Sequence, residues 1–356
     1  MKTIVLAHPK DDHAAPVQWA LQQSGYQADC WSGVSSAEQE RASLFPGECP
    51  KAVLGTYELE KDDVVWLRQP QQSIDNPTGT GEVFSRSSYS AFFRSIASML
   101  ETLPVRCINP FSSSCMARNK AVQLHLARAA GLNIPQTLMT NSPQAVRGFF
   151  HQHPNGAICK AFGSHVWQQQ DSKEIAVTET FSLGREQLPS DEVLTYAPAI
   201  YQQRVTKLYD VRMVLMGEKI YSHSLHTPGN LLDWRCEGAL NGLIVETIHT
   251  PPDVEEGVLR LAQKAGICFG VMDFAIDRHG DWWFLEINEQ GQFFWLEQLC
   301  PQARLLQKFC SFLARAGEKK ENLFPSFADY QQSHRQHEVM NVTGISAESL
   351  CKSVEP

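Results

Sequence analysis

The most informative segment of the chain is residues 270–288, which read Gly-Val-Met-Asp-Phe-Ala-Ile-Asp-Arg-His-Gly-Asp-Trp-Trp-Phe-Leu-Glu-Ile-Asn. Two apolar runs flank a predicted four-residue turn, Arg278–Asp281, which is typical of an antiparallel β-hairpin. This turn places Asp273 opposite Glu286, and because strand side chains alternate between two faces, Asn288 shares the face of Glu286. Three oxygen-bearing side chains are therefore predicted to meet on one face. The other face carries side chains that can form a core, namely Met272, Phe274, Leu285 and Ile287.

The facing carboxylates of this hairpin need a compensating charge. Two unit charges about 5 Å apart repel by roughly 3 kcal/mol at an effective dielectric constant of about 20. A magnesium ion would remove the repulsion, because Asp273, Glu286 and Asn288 offer the hard oxygen ligands that it prefers. A protonated carboxyl group, or a Lys or Arg side chain in a structural ion pair, would remove it as well. The spacing alone leaves a metal site and a structural role equally open.

A magnesium ion without a full protein cage shares its coordination with phosphates, so a nucleotide site also needs cations. Lys120 lies at a predicted helix start, and Lys160 ends the apolar strand 157–160. Arg212 and Arg235 lie further along the chain. Each of these cations taken singly is more simply a solvated surface charge. Lys160 is the strongest candidate, because it closes a strand that is expected to be buried.

Composition limits the class of partner. The 356 residues include 31 Lys and Arg against 39 Asp and Glu, a formal charge of −8 that argues against a basic nucleic-acid groove. The apolar run at residues 4–7 is too short for a signal peptide, and no run of about 18 apolar residues occurs. We therefore expect a cytoplasmic protein without a membrane partner. The 10 cysteines contain no Cys-x-x-Cys pair, so mostly free thiols are expected.

Periodicity and turn residues predict an α+β or α/β protein with three lobes and a tail. The N-terminal lobe, residues 1–104, is predicted to contain strands at 3–7, 51–56 and 63–67, a helix that stops at Gly25, a loop at 71–81 and a helix at 83–103. The central lobe, residues 105–199, is predicted to contain strands at 105–109, 137–140 and 156–161 and helices at 116–130 and 142–151. The C-terminal lobe, residues 200–317, is predicted to contain strands at 200–205, 210–216, 219–225, 269–277 and 282–288, a helix at 253–265 and one or two more helices. Residues 318–356 are predicted to be a loosely attached polar tail.

These residues resemble the ATP-grasp superfamily. Within it the chain is most similar to the ribosomal-peptide ligases of the microviridin, or graspetide, type and to the related ribosomal-protein glutamate ligases. The resemblance runs from about residue 108 to residue 299, and Trp66-Leu67-Arg68-Gln69-Pro70 is similar to an N-terminal motif of the peptide ligases. It implies an ATP-grasp fold, in which an N-terminal α/β lobe precedes two lobes that clasp ATP between antiparallel sheets.

The resemblance implies where the nucleotide would bind. Lys120 and Lys160 match two lysines that contact phosphates. The segment Gln202-Gln203-Arg204-Val205 matches the adenine-binding hinge, in which backbone groups of Gln203 and Val205 would pair with the adenine edge. Asp210 belongs to Asp210-Val211-Arg212, which resembles the Asp-x-Arg strand of the family.

The resemblance also implies a catalytic and a metal-binding set. Arg212 and Arg235, the latter in the Asp233-Trp234-Arg235 motif, would neutralise the transferred phosphoryl group and an acyl phosphate. Asp273, Glu286 and Asn288 match the magnesium ligands, which favours the metal site over the structural ion pair. The chain departs from the family at Gln69, at Gln203, at Glu289 and in the glycine-poor segment after Lys160.

The implied activity is that of an ATP-dependent carboxylate ligase that uses Mg²⁺ and proceeds through an acyl phosphate. We expect a ribosomally made precursor peptide as substrate, with Asp or Glu side chains joined to Ser, Thr or Lys side chains in rings. Two alternatives stay open: addition of a free amino acid to a peptide or small-molecule carboxylate, and a nucleotide-binding scaffold without turnover. The resemblance also makes a homodimer plausible.

Overall fold

A computed structural model describes residues 2–8, 11–34, 38–68, 80–154, 156–163, 166–168, 175–177, 180–228, 232, 234 and 242–334. The predicted loop at 71–81 falls outside these residues except for its last two positions, which begin a helix.

The described strands are, in chain order, β1 (Lys2–Leu6), β2 (Gln27–Trp31), β3 (Ala42–Phe45), β4 (Lys51–Leu54), β5 (Tyr57–Glu58), β6 (Val64–Leu67), β7 (Arg106–Ile108), β8 (Thr137–Thr140), β9 (Ala157–Lys160), β10 (Val166–Gln168), β11 (Ile175–Val177), β12 (Phe181–Leu183), β13 (Ala199–Gln203), β14 (Lys207–Met216), β15 (Lys219–His226), β16 (Ile244–Ile248), β17 (Phe269–Asp277) and β18 (Trp282–Asn288). They form three larger sheets and two small ones, β3-β4-β5 and β10-β11.

The described α-helices are α1 (Ala14–Gln23), α2 (Thr80–Leu100), α3 (Phe111–Arg118), α4 (Lys120–Ala129), α5 (Pro143–Gln152), α6 (Asp191–Tyr196), α7 (Pro252–Ala265), α8 (Phe294–Leu299), α9 (Leu305–Ala314) and α10 (Phe327–Ser333). None of the helices in the described part of the chain combines the length and the hydrophobicity that a membrane crossing requires. The predicted mixture of α+β and α/β structure is confirmed.

The N-terminal sheet has the strand order β2-β1-β6-β7 and is parallel throughout. Residues 4–6 of β1 are fully buried, as expected for a parallel strand that is covered on both faces. Strand β7, which the sequence assigned to the start of the central lobe, pairs with β6 and belongs to this sheet. That assignment was wrong because α2 provides the crossover that a parallel neighbour of β6 requires, and a short strand carries no signal for its partner.

The central sheet has the order β12-β9-β13-β8 and is antiparallel. Strand β13 lies between β9 and β8, so it does not open the C-terminal lobe as the sequence predicted. One face of this sheet packs against α5 and α6 through Phe150, Leu194 and Tyr201. Strand β13 itself was predicted, so the error again concerns only the strands with which it pairs.

The C-terminal sheet, β16-β15-β14-β17-β18, is antiparallel and forms the centre of the molecule. Strands β14 and β15 are joined by the predicted turn at Gly217-Glu218, where Gly217 has a φ of +66°. One face packs against α4 and α7, and the other packs against α8 and α9. The sheet therefore has a core on both sides.

The predicted helix at 116–130 is two helices that meet at Asn119. The Asn119 side chain accepts hydrogen bonds from the N–H groups of Ala121 and Val122, at 3.0 and 3.2 Å. Such an N-cap starts a helix, so Lys120 becomes the first residue of α4. The serines at 112–114 lie in α3.

The beginning of the predicted polar tail is part of the folded core. Phe324, Phe327 and Tyr330 are buried, and the ring of Phe327 lies 5.6 Å from that of Phe294. The carboxylate of Glu297 accepts a hydrogen bond from the Phe327 N–H at 2.9 Å. The tail assignment was therefore wrong up to residue 334, because three aromatic side chains at helical spacing outweigh the polar residues between them. Residues 335–356 lie outside the described part.

We predict that Phe327→Ala lowers the free energy of unfolding by about 3 to 5 kcal/mol, because a buried aromatic ring is removed. Leu323→Ala is the matched control, since Leu323 precedes the same helix and is 67% exposed. It should change the free energy of unfolding by less than about 0.5 kcal/mol. Urea denaturation followed by circular dichroism measures both. Equal effects of the two substitutions would show that the segment does not pack as described.

Candidate functional site

The hairpin of β17 and β18 pairs Asp273 with Glu286, which confirms the predicted register. Its turn is one residue shorter than predicted. The N–H of Asp277 donates to the carbonyl of Asp281 at 3.2 Å, so the connecting loop is residues 278–280.

A β-bulge at Leu285 compensates for the shorter turn. On the turn side of the bulge Phe274 faces Phe284, whereas beyond it Asp273 still faces Glu286. Phe284 is fully buried and Leu285 is half-buried, so Phe284 occupies the core position that was predicted for Leu285. A bulge shifts the side chains that follow it to the opposite face, and nothing in the spacing revealed it.

Arg212 lies directly across from Asp273 on the neighbouring strand β14. Its Nη1 is 2.7 Å from the Asp273 carboxylate, and its Nη2 donates to the carbonyl of Gln292 at 2.9 Å. The guanidinium carbon lies 5.6 Å from the ring of Trp234. Both partners of the ion pair are buried, and the Arg212 Nε has no hydrogen-bond partner among the described residues. Arg212 therefore lies on the face that the sequence predicts to bind metal, and its Nε is a hydrogen-bond donor without a described partner.

Lys120 compensates the second carboxylate, with its Nζ 2.5 Å from Glu286 Oε2. Both side chains are only partly buried, at 32% and 22% exposure, so this ion pair is open to exchange with solvent ions. Arg212 and Lys120 thus offset the repulsion between Asp273 and Glu286 in this structure. The structural ion pair, one of the alternatives that the spacing left open, is therefore present for both carboxylates.

The predicted metal ligands present oxygen atoms only. Asn288 is exposed, and its Oδ1 accepts a hydrogen bond from the Gln290 N–H at 3.0 Å. Two facing carboxylates with an amide oxygen at the open end fit a hard cation such as Mg²⁺. The described residues contain no group of three or more His, Cys, Asp or Glu side chains that could hold a metal ion, so any metal here would also need Asn288, water or a phosphate as a ligand.

The predicted hinge has one backbone donor already in use. The Gln203 N–H donates to the Gln136 carbonyl at 2.8 Å, and the Gln203 side chain accepts from the Gln136 N–H at 3.3 Å. An adenine edge would therefore find its N–H donor at Val205, not at Gln203. Gln202 is buried and donates to the Thr137 hydroxyl at 2.9 Å, so it fixes the hinge strand from its inner face.

Two cavities meet at this hinge, and both are lined by Gln203 and Trp283. The larger, of about 630 Å³, lies between α4 and β8 and is lined by Leu124 and Met139. The smaller, of about 340 Å³, is lined by residues 203–206 and 277–279. Hence the hinge borders open volume on two sides.

Lys160 lies on the face of the central sheet that is turned towards the C-terminal sheet. It pairs with Ile200, which in turn pairs with Met139, and paired residues share a face. Met139 packs against the core around α4 and β17. Lys160 and Lys120 therefore approach the cleft between the two sheets from opposite walls.

Asp210 lies two residues before Arg212 on β14 and so shares its face. It forms an ion pair with Lys207 at 2.6 Å, and Lys207 also donates to the Leu232 carbonyl at 2.8 Å. The sequence offered no signal for Lys207, because a lysine at the start of a strand looks like an ordinary surface residue.

Arg235 and Asp233 lie outside the described residues, but Trp234 of the same motif is described. Its ring stacks on that of Trp295 with 4.9 Å between centroids, and it covers Arg212. Trp234 of this motif therefore lies beside Arg212.

The charged residue after the metal-binding strand, Glu289, is buried against Arg118. Both Nε and Nη2 of Arg118 lie within 3.0 Å of the same carboxylate oxygen. This pair accounts for the departure from the family pattern at Glu289, since the buried charge has a partner in α3.

His223 lies beside Arg212 on strand β15 and was not predicted to belong to the site. It is 1% exposed, and neither ring nitrogen makes a hydrogen bond of ordinary geometry within the described part of the chain. Burial, and to a lesser extent the charge of Lys308, lower the pKa of His223 to about 4. Nearby backbone groups have a smaller effect in the opposite direction. The ring is therefore neutral at pH 7 and adds no charge next to Arg212.

Comparison with solved structures shows the same architecture over almost the whole chain. The macrocyclase MdnC from Microcystis aeruginosa MRC, bound with its precursor peptide MdnA, is 25% identical and has a TM-score of 0.75. The match covers 89% of this chain and 100% of MdnC. The chain has the ATP-grasp fold. The resemblance inferred from the sequence is thus confirmed.

Two further ATP-grasp ligases show the same likeness. A RiPP-associated ligase from Chryseobacterium gregarium, in complex with ADP and a leader and core peptide, is 20% identical, has a TM-score of 0.74, and is matched over 89% of this chain and 98% of its own. The ligase PsnB, complexed with a minimal precursor variant, Mg and ADP, is 21% identical, has a TM-score of 0.68, and is matched over 88% and 98%. Neither a protein-family model nor a curated protein sequence matches the chain.

We predict that His223 makes the protein less stable as the pH falls. Its pKa of about 4 in the folded protein lies below the ordinary value of 6.5. The unfolded chain therefore takes up a proton first, and stability is lost between pH 6.5 and about 4. Between pH 7 and pH 5 the loss from this residue is about 2 kcal/mol.

Urea denaturation of the wild-type protein and of His223→Leu at both pH values tests this prediction. Leucine suits the site because neither ring nitrogen makes a hydrogen bond of ordinary geometry with a described residue. The variant should show a decline in stability between pH 7 and pH 5 that is about 2 kcal/mol smaller than that of the wild type. Identical declines would mean that His223 is not buried as described.

Proposed function

We propose that the chain is an ATP-dependent carboxylate ligase that closes side-chain rings in a ribosomally made precursor peptide. The observation that carries this proposal is the pairing of Arg212 with Asp273 and of Lys120 with Glu286 on one face of the C-terminal sheet. Two cations and two carboxylates in a cleft suit a reaction that binds a negatively charged phosphate, transfers it and releases it. The near-complete match to three peptide-bound ATP-grasp enzymes supports the same function.

ATP and Mg²⁺ are the proposed cofactors. In the resting site Glu286 is neutralised by Lys120. When the nucleotide binds, Lys120 would turn to the phosphates together with Lys160, and Glu286, Asp273 and Asn288 would hold the metal. This exchange keeps the local charge nearly balanced. Bound magnesium would shield the phosphate oxygens and so lower the barrier to attack.

The adenine is proposed to bind between the central and C-terminal sheets at the hinge. Adenine has an amino donor next to a ring nitrogen acceptor, so it pairs with one carbonyl and one N–H group. Val205 supplies the N–H group, because that of Gln203 is engaged by Gln136. The carbonyl of Gln203 is the matching acceptor in this proposal.

The chemistry needs charge neutralisation more than a covalent nucleophile. A carboxylate oxygen of the peptide attacks the γ-phosphorus, ADP leaves, and an acyl phosphate remains. A hydroxyl or amine of the same peptide then attacks the acyl carbon, inorganic phosphate leaves, and the proton passes to solvent or phosphate. Arg212, already held beside Asp273, is proposed to bind the incoming carboxylate and the transferred phosphoryl group, and the family resemblance implies the same role for Arg235.

We further propose that the substrate is a precursor peptide and that the enzyme acts as a homodimer. MdnC and PsnB are bound to precursor peptides in their structures. The short open reading frames next to the gene are the place to look for a precursor rich in Thr, Ser, Asp and Glu.

We predict that incubation with ATP, Mg²⁺ and the correct precursor lowers the peptide mass by one water per ring. Mass spectrometry of the peptide together with phosphate release measures this. A gain in mass equal to an amino acid residue would instead identify a ligase that adds free amino acids. An unchanged mass for every neighbouring candidate, without phosphate release, would contradict the proposal.

We predict that Asp273→Ala and Glu286→Ala each abolish turnover, because each removes a proposed metal ligand and leaves a cation without its partner. Asp281→Asn is the matched control, since Asp281 lies exposed at the turn of the same hairpin. It should retain wild-type turnover. Activity that survives in both alanine variants would overturn the assignment of the site.

A further inference from the structure

The loop that follows the predicted metal-binding strand, residues 289–294, is held by side chains from other parts of the chain. Its backbone groups make hydrogen bonds with four buried side chains, and the side chain of Glu289 pairs with one exposed side chain. These partners are Arg68, Asn109, His13, Arg212 and Arg118. Arg68, Asn109 and His13 come from the N-terminal sheet or its loops. Side chains from other parts of the chain therefore fix the position of this loop.

Arg68 is the central member of this set. It is 1% exposed, and its Nη1 donates to the carbonyl of Gln290 and, at 3.4 Å, to that of Gly291. Its Nε and Nη2 donate to the carboxylate of Asp11 at 3.2 and 3.0 Å. One edge of the guanidinium thus neutralises a buried acid, and the other edge binds the loop.

Asp11 is ionised at neutral pH. Burial by itself would raise its pKa, but the charge of Arg68 and hydrogen bonds from Arg68 and Ala14 lower the pKa to about 2. The buried positive charge of Arg68 is therefore matched by a negative charge, which burial requires.

His13 and Asn109 hold the loop on either side of Arg68. His13 Nε2 accepts hydrogen bonds from the N–H groups of Phe293 and Phe294, at 2.7 and 3.1 Å. The Asn109 amide donates to the carbonyl of Glu289 at 3.2 Å. Burial keeps His13 neutral by lowering its pKa, so that Nε2 is free to accept.

These three residues lie at the carboxyl ends of parallel strands. Arg68 directly follows β6, Asn109 directly follows β7, and His13 lies in the connection after β1. Open α/β sheets bind ligands at this edge. Here the edge is occupied by the loop 289–294, so it serves the neighbouring site instead of a ligand of its own.

We propose that Arg68, held by Asp11, is a positioning residue that fixes the loop 289–292 and through it the metal ligand Asn288 and the catalytic Arg212. The loop begins one residue after Asn288, and its Gln292 carbonyl binds Arg212 at 2.9 Å. Displacement of the loop moves both ends of the metal-binding face. This inference rests on the proposed function, because it assumes that Asn288 contributes to a magnesium and nucleotide site.

Arginine is required because one side chain must satisfy two partners in different directions. Lysine has a single nitrogen and cannot span a carboxylate and a row of carbonyls with the same geometry. Glutamine would keep a donor for the loop and would leave Asp11 as an unpaired buried charge. We therefore expect Arg68→Lys to weaken positioning and Arg68→Gln to remove it.

The test compares ADP binding with and without magnesium by isothermal titration calorimetry, in the full-length protein. We expect Arg68→Gln to bind ADP in EDTA within about twofold of the wild type, because the hinge and the lysines are untouched. Its affinity for ADP in excess Mg²⁺ should fall at least tenfold, which is typical when support behind a metal ligand is lost. Arg68→Lys should fall in between.

Asp63→Asn is the matched control for a purely structural effect. Asp63 lies at the other end of the same strand, is 1% exposed and accepts a hydrogen bond from the Lys2 N–H at 2.8 Å. It should lower the melting temperature and leave the magnesium effect unchanged. A loss of magnesium affinity in Asp63→Asn equal to that in Arg68→Gln would overturn the positioning role.

Gly291→Ala tests the same inference from the loop side, in case Arg68→Gln fails to fold. A methyl group at residue 291 would lie 2.6 Å from Cβ of Val271, so the loop must shift. We expect the same selective loss of magnesium affinity. Wild-type affinity in this variant, or in a folded Arg68→Gln, would overturn the inference alone. Failure of the wild-type protein to bind ADP with magnesium would instead overturn the proposed function.

Discussion

Two carboxylates that face each other across one hairpin are the constraint on which the candidate site depends. Asp273 and Glu286 are paired in register on β17 and β18, and each requires a positive partner. Arg212 supplies one from the next strand, and Lys120 supplies the other from the start of a helix. The charges are so placed that a metal and a phosphate can replace one ion pair with little change in net charge.

The elements around this cluster fix its members from several directions. The long antiparallel ladder of β14 with β17 sets Arg212 against Asp273. The Asn119 cap breaks a continuous helix and so brings Lys120 to a helix start, where it reaches Glu286. Trp234 and Trp295 cover the outer side of Arg212, so its charge is held in a site with little water.

The sequence predicted most of the hairpin because its evidence is local. Alternation along β17 and β18 and turn residues between them were sufficient to pair Asp273 with Glu286. The bulge at Leu285 was not predictable, because a shorter turn and an extra strand residue leave the same pairing beyond the bulge. The sequence placed Lys120 at a helix start, but it did not separate α3 from α4, because the apolar period continues through Asn119.

The sequence did not predict the strand partners or the burial of charged residues, for a different reason. β7 and β13 were found as strands and placed in the wrong sheets, because pairing depends on residues far away in the chain. The burial of Phe327 with the supposed tail depends on Phe294 and Glu297 in the same way.

The sequence by itself determined the fold class, the principal elements and the facing carboxylates, because periodicity and turn chemistry act over a few residues. Only the tertiary structure decided which cation meets which carboxylate and how the loop after Asn288 is held. Arg68 shows the difference most clearly, since its partners Asp11 and Gln290 lie 57 and 222 residues away along the chain. Contacts between such distant residues arise when sheets and helices pack, and no local pattern encodes them.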